Sequence, residues 1–317
     1  MIGRLHSVSF RAMGTACAVS VTAREADRLL ADRALRAGSA EVEACERALS
    51  RFDPASDLSR LNRASGQWVA IDERLERALR AALRIRTETA GRFDPTILPA
   101  LVAAGYDRSF ELLEERPART AARWRAGAGI DLSPGRARIE RGAAVDLGGI
   151  GKGFAAARTL AAMRAAWPAL PGAIVDLGGD IAAGGTPPDR GPWRIAVADP
   201  TGRRPSLGTV LIDEGAVATS GRNARRFGPG RSLHHLIDPA TGAPASAGPL
   251  AVTVVAPDAT NAEGHATALA VSTLAQARAH LAGRPDVAAL YVEPSGDTHA
   301  IGALPLVGAP EQTGAAR

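Results

Sequence analysis

The chain has 317 residues, 46% hydrophobic and 22% charged, a globular composition able to bury a sizeable core as one large domain or two ordinary ones. Of its 38 basic residues one is lysine, Lys152, and the rest are arginine; acids interleave with them, so the net charge of +5 forms no basic block and nucleic acid is excluded as an expected partner. No run of eighteen apolar residues occurs, and the first twenty residues lack a basic end followed by an unbroken apolar stretch, so neither a membrane span nor a signal peptide is expected and the expected compartment is the cytoplasm.

Residues 7–22 alternate apolar and polar and read as a strand interrupted at Met13-Gly14-Thr15. Leu29, Leu30, Ala34, Leu35, Ala40, Val42 and Leu49 recur at helical spacing and predict an amphipathic helix over 25–50. The segment RFDPASDLSRLNRASG (51–66) carries turn chemistry, closed by Gly66. A second helix is expected over 73–90, stopped by Gly91 and Asp94-Pro95. Residues 107–140 show little pattern. Next come a strand ending in AVDLGG, a helix from Gly153 to Ala166 and a strand IVDLGGD from 174, with VDLGG echoed at 145 and 175. WRIAVADP, LGTVLIDEGAVATS, LHHLIDPATG, PLAVTVVAP and DVAALYVEP read as further strands, with one helix over 261–281. Residues 305–317 form a Pro/Gly/Ala tail, expected to fray. Strands with separate helices favour an α+β fold with a mostly antiparallel sheet. Cys17 and Cys45 are too few for a disulfide framework or a zinc site and are expected to be buried small residues.

DLGGIGKG suggests anion binding, because glycine lets backbone amides approach a phosphate and a helix N-terminus follows. A Walker A loop fails twice: Asp146 stands where its first glycine belongs, and Gly153 replaces Ser or Thr. Gly151, Gly153 and Ala156 satisfy a Rossmann GxGxxA, with Asp176 ending the next strand, which keeps an NAD(P) oxidoreductase open. Against it, about 145 residues precede the motif, Lys152 sits inside the turn, and no regular βα alternation follows. Asp/Gly/Thr/Ser clusters recur at other strand ends, at FDPT (93–96), ATSG (218–221), HLIDPATG (235–242) and ATA (266–268). With DLGG they make five and suggest one shared site, to which Thr219 and Ser220 would add hydroxyls.

Taken in order, the strings MGT (13–15), SRFDPASDLSRLN (50–62), GRFDPT (91–96), DLGGIGKGF (146–154), VDLGGD (175–180), ATSG, HLIDPATGAP (235–244), and VTVVAP followed by EGHATAL (263–269) resemble the ApbE family, the FAD:protein FMN transferases. The resemblance runs nearly end to end. It implies a two-lobed, T-fold-like α+β architecture in a single domain over 1–304. It also implies FAD as substrate, Mg2+ as cofactor and transfer of FMN to a threonine or serine hydroxyl of a client flavoprotein, with AMP released. The metal positions it carries over are Gly151, through its carbonyl, Glu263 and Thr267. Glu263 stands where the family has aspartate, lengthening the ligand by one methylene; four residues of spacing put Glu263 and Thr267 on one helical face, with His265 on another. FAD-contact positions are Met13, Phe52, Arg92, Phe93, Asp94, Gly148, Phe154 and Ala251. Phe52 stands where many relatives have tyrosine, and Phe93 and Phe154 are equally readable as core residues.

Lys152 would give the phosphates a compact point charge that a planar guanidinium cannot supply in a tight turn. His235 is the candidate base for the acceptor hydroxyl, with His234 as its competitor, and Asp238 either orients His235 or braces the turn. Three alternatives remain beside transfer: FAD hydrolysis to FMN and AMP with water as acceptor, FAD binding without catalysis at a metal site altered by Glu263, and the Rossmann reading.

Overall fold

A computed structural model describes residues 3–113, 124–223, 226–228, 230 and 232–308. Its spine is an antiparallel eight-stranded sheet in the order Arg4–Ala12, Thr15–Ala23, Gly172–Leu177, Ile181–Gly185, Gly215–Gly221, Ala251–Ala256, Ala288–Val292 and Thr298–Ile301. Both faces are covered, which is why Ala288–Val292 is buried at every residue instead of alternating. The helices are α1 (Arg28–Leu49), α2 (Asp57–Arg63), α3 (Glu73–Glu88), α4 (Leu98–Ala103), α5 (Gly151–Ala166), α6 (Ala259–Leu269) and α7 (Leu274–Leu281); α1, α5 and α6 pack directly on one face of the strands, and α4 belongs to a separate apolar cluster with Tyr106, Phe227 and Ile237. Ala216, Ala218, Val252 and Val254 point into that main core, and the next residues along the same strands, such as Val217, point the other way. There a three-stranded sheet of Trp193–Ala198, Ser206–Ile212 and Leu306–Val307 covers them with Trp193, Ile195 and Val210. The α+β class and the antiparallel sheet read from the sequence are what the chain forms.

Five local differences from that reading have physical causes, the last being that the tail expected to fray begins with a paired strand. The interrupted strand at 7–22 is a full hairpin: Met13 and Gly14 both adopt positive φ, 52° and 69°, which is what a two-residue hairpin turn following the strand twist requires. The 51–66 segment does more than turn, because Ser56 accepts the Ser59 N–H at 3.0 Å and caps α2. Within 107–140, of which 114–123 lie outside the described residues, Ile130–Ser133 and Arg136–Ile139 form a hairpin across Gly135, whose φ is 70°. The helix expected over 261–281 splits into α6 and α7, since Thr273 and Gln276 form a capping box that starts a new helix. At the C-terminus, Leu306–Val307 pairs with Thr209 and Val210, and 309–317 fall outside the described residues. Cys17 and Cys45 are free and buried. On α3, Arg77, Arg80 and Arg84 pair with Glu73, Glu76 and Glu88 at helical spacing.

The approach of α5 to α6 matters most for the site. Gly153 allows it: a Cβ there would overlap the Ala259 carbonyl oxygen and lie 2.9 Å from the Glu263 Cβ. Because backbone cannot yield as a flexible side chain can, Gly153→Ala should lower stability by about 3 kcal/mol. Denaturant midpoints would show this against Gly283→Ala, whose new methyl meets nothing within 4 Å; equal midpoints would mean that the two helices have room to part.

Candidate active site

The DLGG turn is fixed from outside before α5 begins. Asn62, on α2, donates to the Val145 carbonyl at 2.9 Å and accepts the Val145 N–H at 2.7 Å, while the Asp146 N–H donates to Pro95 O at 2.8 Å. The Asp146 carboxylate accepts the Gly148 N–H at 2.7 Å and pairs with Arg51 Nε at 2.6 Å, in a contact that leaves the two side chains only 6% and 11% exposed. Arg51 in turn donates to Tyr106 O at 3.0 Å, and its guanidinium lies 4.1 Å from the Phe52 ring centroid and 4.7 Å from that of Tyr106. A half-exposed aromatic face is thereby held rigid beside the glycine turn.

Lys152 is the second residue of α5, and its ammonium bridges two buried carboxylates. It donates to Asp180 Oδ2 and, at 2.6 Å, to Glu263 Oε1. Asp180 and Glu263 are each 3% exposed. Glu263 Oε2 accepts the Gly153 N–H at 2.7 Å, and one turn further along α6 the Thr267 hydroxyl donates to Gly149 O at 2.9 Å. Burial opposes the charge on Lys152, but the carboxylates of Asp180 and Glu263 outweigh it and hold the ammonium pKa above its ordinary value. Burial raises the Glu263 pKa, against the pull of Lys152 and with the help of Asp180. Two carboxylates face one ammonium, so this buried cluster has room for further positive charge.

This cluster forms one side of a cavity of about 200 Å³, which also takes in His235, Thr219, Ser220, Phe52, Arg92, Phe93, Asp94 and Gly148. An adjoining cavity of about 240 Å³ shares Arg51, Phe52, Tyr106, Asp146, Gly148 and Lys152 with it and adds Met13 and Gly151. The Met13 N–H is anchored to Glu46 Oε1 at 2.8 Å. Phe93 is buried yet lines the cavity, so wall and core are one surface there. Asp94 spends its carboxylate on structure: Oδ1 accepts the Thr96 N–H and hydroxyl at 2.8 and 2.7 Å, and Oδ2 accepts the Gly127 N–H at 2.7 Å. Thus three catalytic and metal candidates, Lys152, Glu263 and Thr267, share a cavity with His235 and with five of the eight flavin positions.

The remaining candidates lie elsewhere. Phe154 is packed in the main core, Ala251 is buried in its strand, and neither lines a cavity. Gly151 faces the second cavity, donating its N–H to Leu147 O at 2.7 Å, and the carbonyl set against Thr267 is that of Gly149. Asp238 lies outside both cavities, where its side chain accepts the Ala240 N–H at 2.9 Å and braces the Asp-Pro turn. Of the two adjacent histidines, His234 points inward, with Nε2 3.1 Å from Ala245 O, and its pKa is lowered by burial and then by Arg222.

His265 faces away from the cavity, as its position on α6 implies, with Nδ1 3.1 Å from His280 Nε2 and Nε2 3.8 Å from Glu88. Burial first, then Arg284, His265 and Arg92, lower the His280 pKa to about 4. A folded-state pKa below the unfolded value near 6.5 means that the unfolded chain takes up the proton first as pH falls. Stability from this group is therefore present above pH ~6.5 and lost toward pH ~4, and because the ring is only half-buried, solvent screening keeps it to about 1 kcal/mol. Melting temperatures over that range should fall less in His280→Gln; parallel curves would remove His280 as the cause.

Asp180, Arg51 and Tyr106 are among the lining residues that sequence reasoning missed. Asp180 closes the VDLGGD string and Arg51 precedes Phe52 inside SRFDP, so the motif letters contained both. Among the described residues no three His, Cys, Asp or Glu side chains converge on a metal position. A divalent ion would be held instead by a carboxylate, a hydroxyl and a backbone carbonyl. Glu263, Thr267 and the glycine-turn carbonyls supply these hard oxygen donors beside surplus negative charge, and a Cβ on Gly149 would crowd Thr267 at 2.8 Å. That donor set fits Mg2+. Among the described residues no helix is long and apolar enough to cross a membrane.

Known proteins resemble this chain in sequence and in fold. The ApbE family model matches residues 13–291. A Treponema pallidum protein named FAD:protein FMN transferase is 33% identical over 270 residues, covering 78% of this chain and 74% of its own. A Klebsiella pneumoniae protein of the same name is 30% identical over 275 residues, covering 82% and 77%. The crystal structure of the ApbE protein from Thermotoga maritima superposes with a TM-score of 0.82 at 28% identity, covering 94% of this chain and 97% of that one. The chain therefore belongs to the ApbE family.

Proposed function

We propose that this chain is an FAD:protein FMN transferase that moves FMN from FAD to a threonine or serine hydroxyl of a client flavoprotein and releases AMP. The carrying observation is that Lys152, Glu263, Thr267 and His235 line one cavity beside an aromatic face. In the proposed reaction the client oxygen forms a bond to the FMN-side phosphorus, the bond from that phosphorus to the bridging oxygen breaks, and AMP leaves with the electron pair. His235 takes the hydroxyl proton. Lys152 offsets charge on the diphosphate, and Phe52 and Tyr106 give a flat ring a surface to stack on. Glu263, Thr267 and a glycine-turn carbonyl would hold Mg2+, which when bound supplies further charge neutralisation at the diphosphate.

In-line displacement needs little covalent work from the protein, so positioning and charge carry the reaction. AMP release from FAD and Mg2+ should accordingly depend on an added client carrying the acceptor hydroxyl. AMP released at the same rate without client would assign the site to hydrolysis instead, and FAD bound with no AMP from either mixture would make the chain a flavin binder.

A further inference from the structure

Asp180 touches the Lys152 ammonium directly, yet no motif reading gave it a role. Backbone geometry puts it there. Gly178 and Gly179 both adopt positive φ, 72° and 93°, and the Leu177 N–H closes the turn onto Asp180 O at 3.0 Å. The turn is locked, because a Cβ on Gly178 would overlap the Thr15 hydroxyl. Asp180 therefore approaches Lys152 from the sheet, while Glu263 approaches it from α6. The two carboxylates are not equivalent. Glu263 stands one turn from Thr267 and its second oxygen is tied to the Gly153 N–H, on the side where the hard oxygen donors gather. A divalent ion held there would compete with the ammonium for Glu263, and Asp180 would be the carboxylate left to hold Lys152.

We propose that Asp180 is the positioning residue for Lys152, keeping the ammonium at the cavity wall when Glu263 turns to a divalent cation. The proposal rests on reading the cavity as the FAD diphosphate site. Lys152 is the only lysine of the chain, so protein grown on isotope-labelled lysine gives one side-chain ammonium signal in NMR, observable without FAD or client. In the unsubstituted protein, Mg2+ should shift that signal saturably while it stays restrained. In Asp180→Asn it should be restrained without Mg2+, where Glu263 still holds it, and become mobile and solvent-exchanging once Mg2+ is added. Turnover of FAD by that variant should fall by about tenfold or more, as expected for a misplaced charge.

A signal that stays restrained in Asp180→Asn with Mg2+ would overturn the proposal. If the variant does not fold, the Mg2+ titration of the unsubstituted protein decides: a signal that moves and stays restrained supports Asp180, and one that does not move, or is released, overturns it. Client labelling that fails while the lysine pattern holds counts against the transferase reading alone; labelling that succeeds while the pattern fails counts against Asp180 alone.

Discussion

Lys152→Arg should lower FAD turnover by about 10²–10³, although the substitution keeps the charge, since removing one well-placed group that stabilises developing charge typically costs that much. The ammonium reaches Asp180 and Glu263 together, from the second residue of a helix whose next residue must be glycine. A guanidinium is planar and wider, and from the same Cα it would crowd Asp180, whose carboxylate the locked glycine turn holds in place. Lys152→Met makes a harsher comparison, because it leaves two buried carboxylates without their cation and should cost about 3–5 kcal/mol of stability. Arginine is therefore the cleaner substitution. Melting temperature measured beside AMP release separates the two effects, and an arginine variant with full turnover would show that the lone lysine is an accident of composition.

His235→Ala should reduce client labelling by about 10²–10⁴ while leaving FAD binding near its original strength. The asymmetry follows from where the residue stands: it lines the cavity with Lys152 and Glu263, but its proposed role concerns the acceptor proton and not the flavin. His234 provides the internal control. It is 8% exposed and bonded to Ala245 O, so His234→Ala should cost stability through an unsatisfied carbonyl more than it costs labelling per folded molecule. Labelling rates normalised to folded protein decide between them; a His234 variant with the larger loss would exchange their roles.

How much of this was legible in the sequence depends on range. Signals that work over a few residues read well: α1, α3 and α5 from helical spacing and stop residues, and the glycine turn with its lysine from residue type. The hairpin at 130–139 and the break between α6 and α7 were missed because one positive-φ glycine and one Thr/Gln capping pair set them, against a background of little hydrophobic pattern. The site divides in the same way. Strings at strand ends brought Lys152, His235, Glu263 and Thr267 into one cavity. Asp180 reaches Lys152 across 28 residues and Arg51 reaches the Tyr106 carbonyl across 55, and such pairings arise only from how the sheet is threaded. Phe154 and Ala251 had their flavin assignment from the resemblance alone; in the structure Phe154 packs in the main core, Ala251 is buried, and both stand outside the two cavities. Asp238 had two readings, and its bond to the Ala240 N–H is the bracing one.

The transferase reading is tested most directly by the mass of a candidate client after incubation with this protein, FAD and Mg2+, together with the AMP formed. The client should become heavier by one FMN less one water, with the label on a threonine or serine and one AMP for each label. AMP accumulating while the client's mass stays unchanged would contradict that reading.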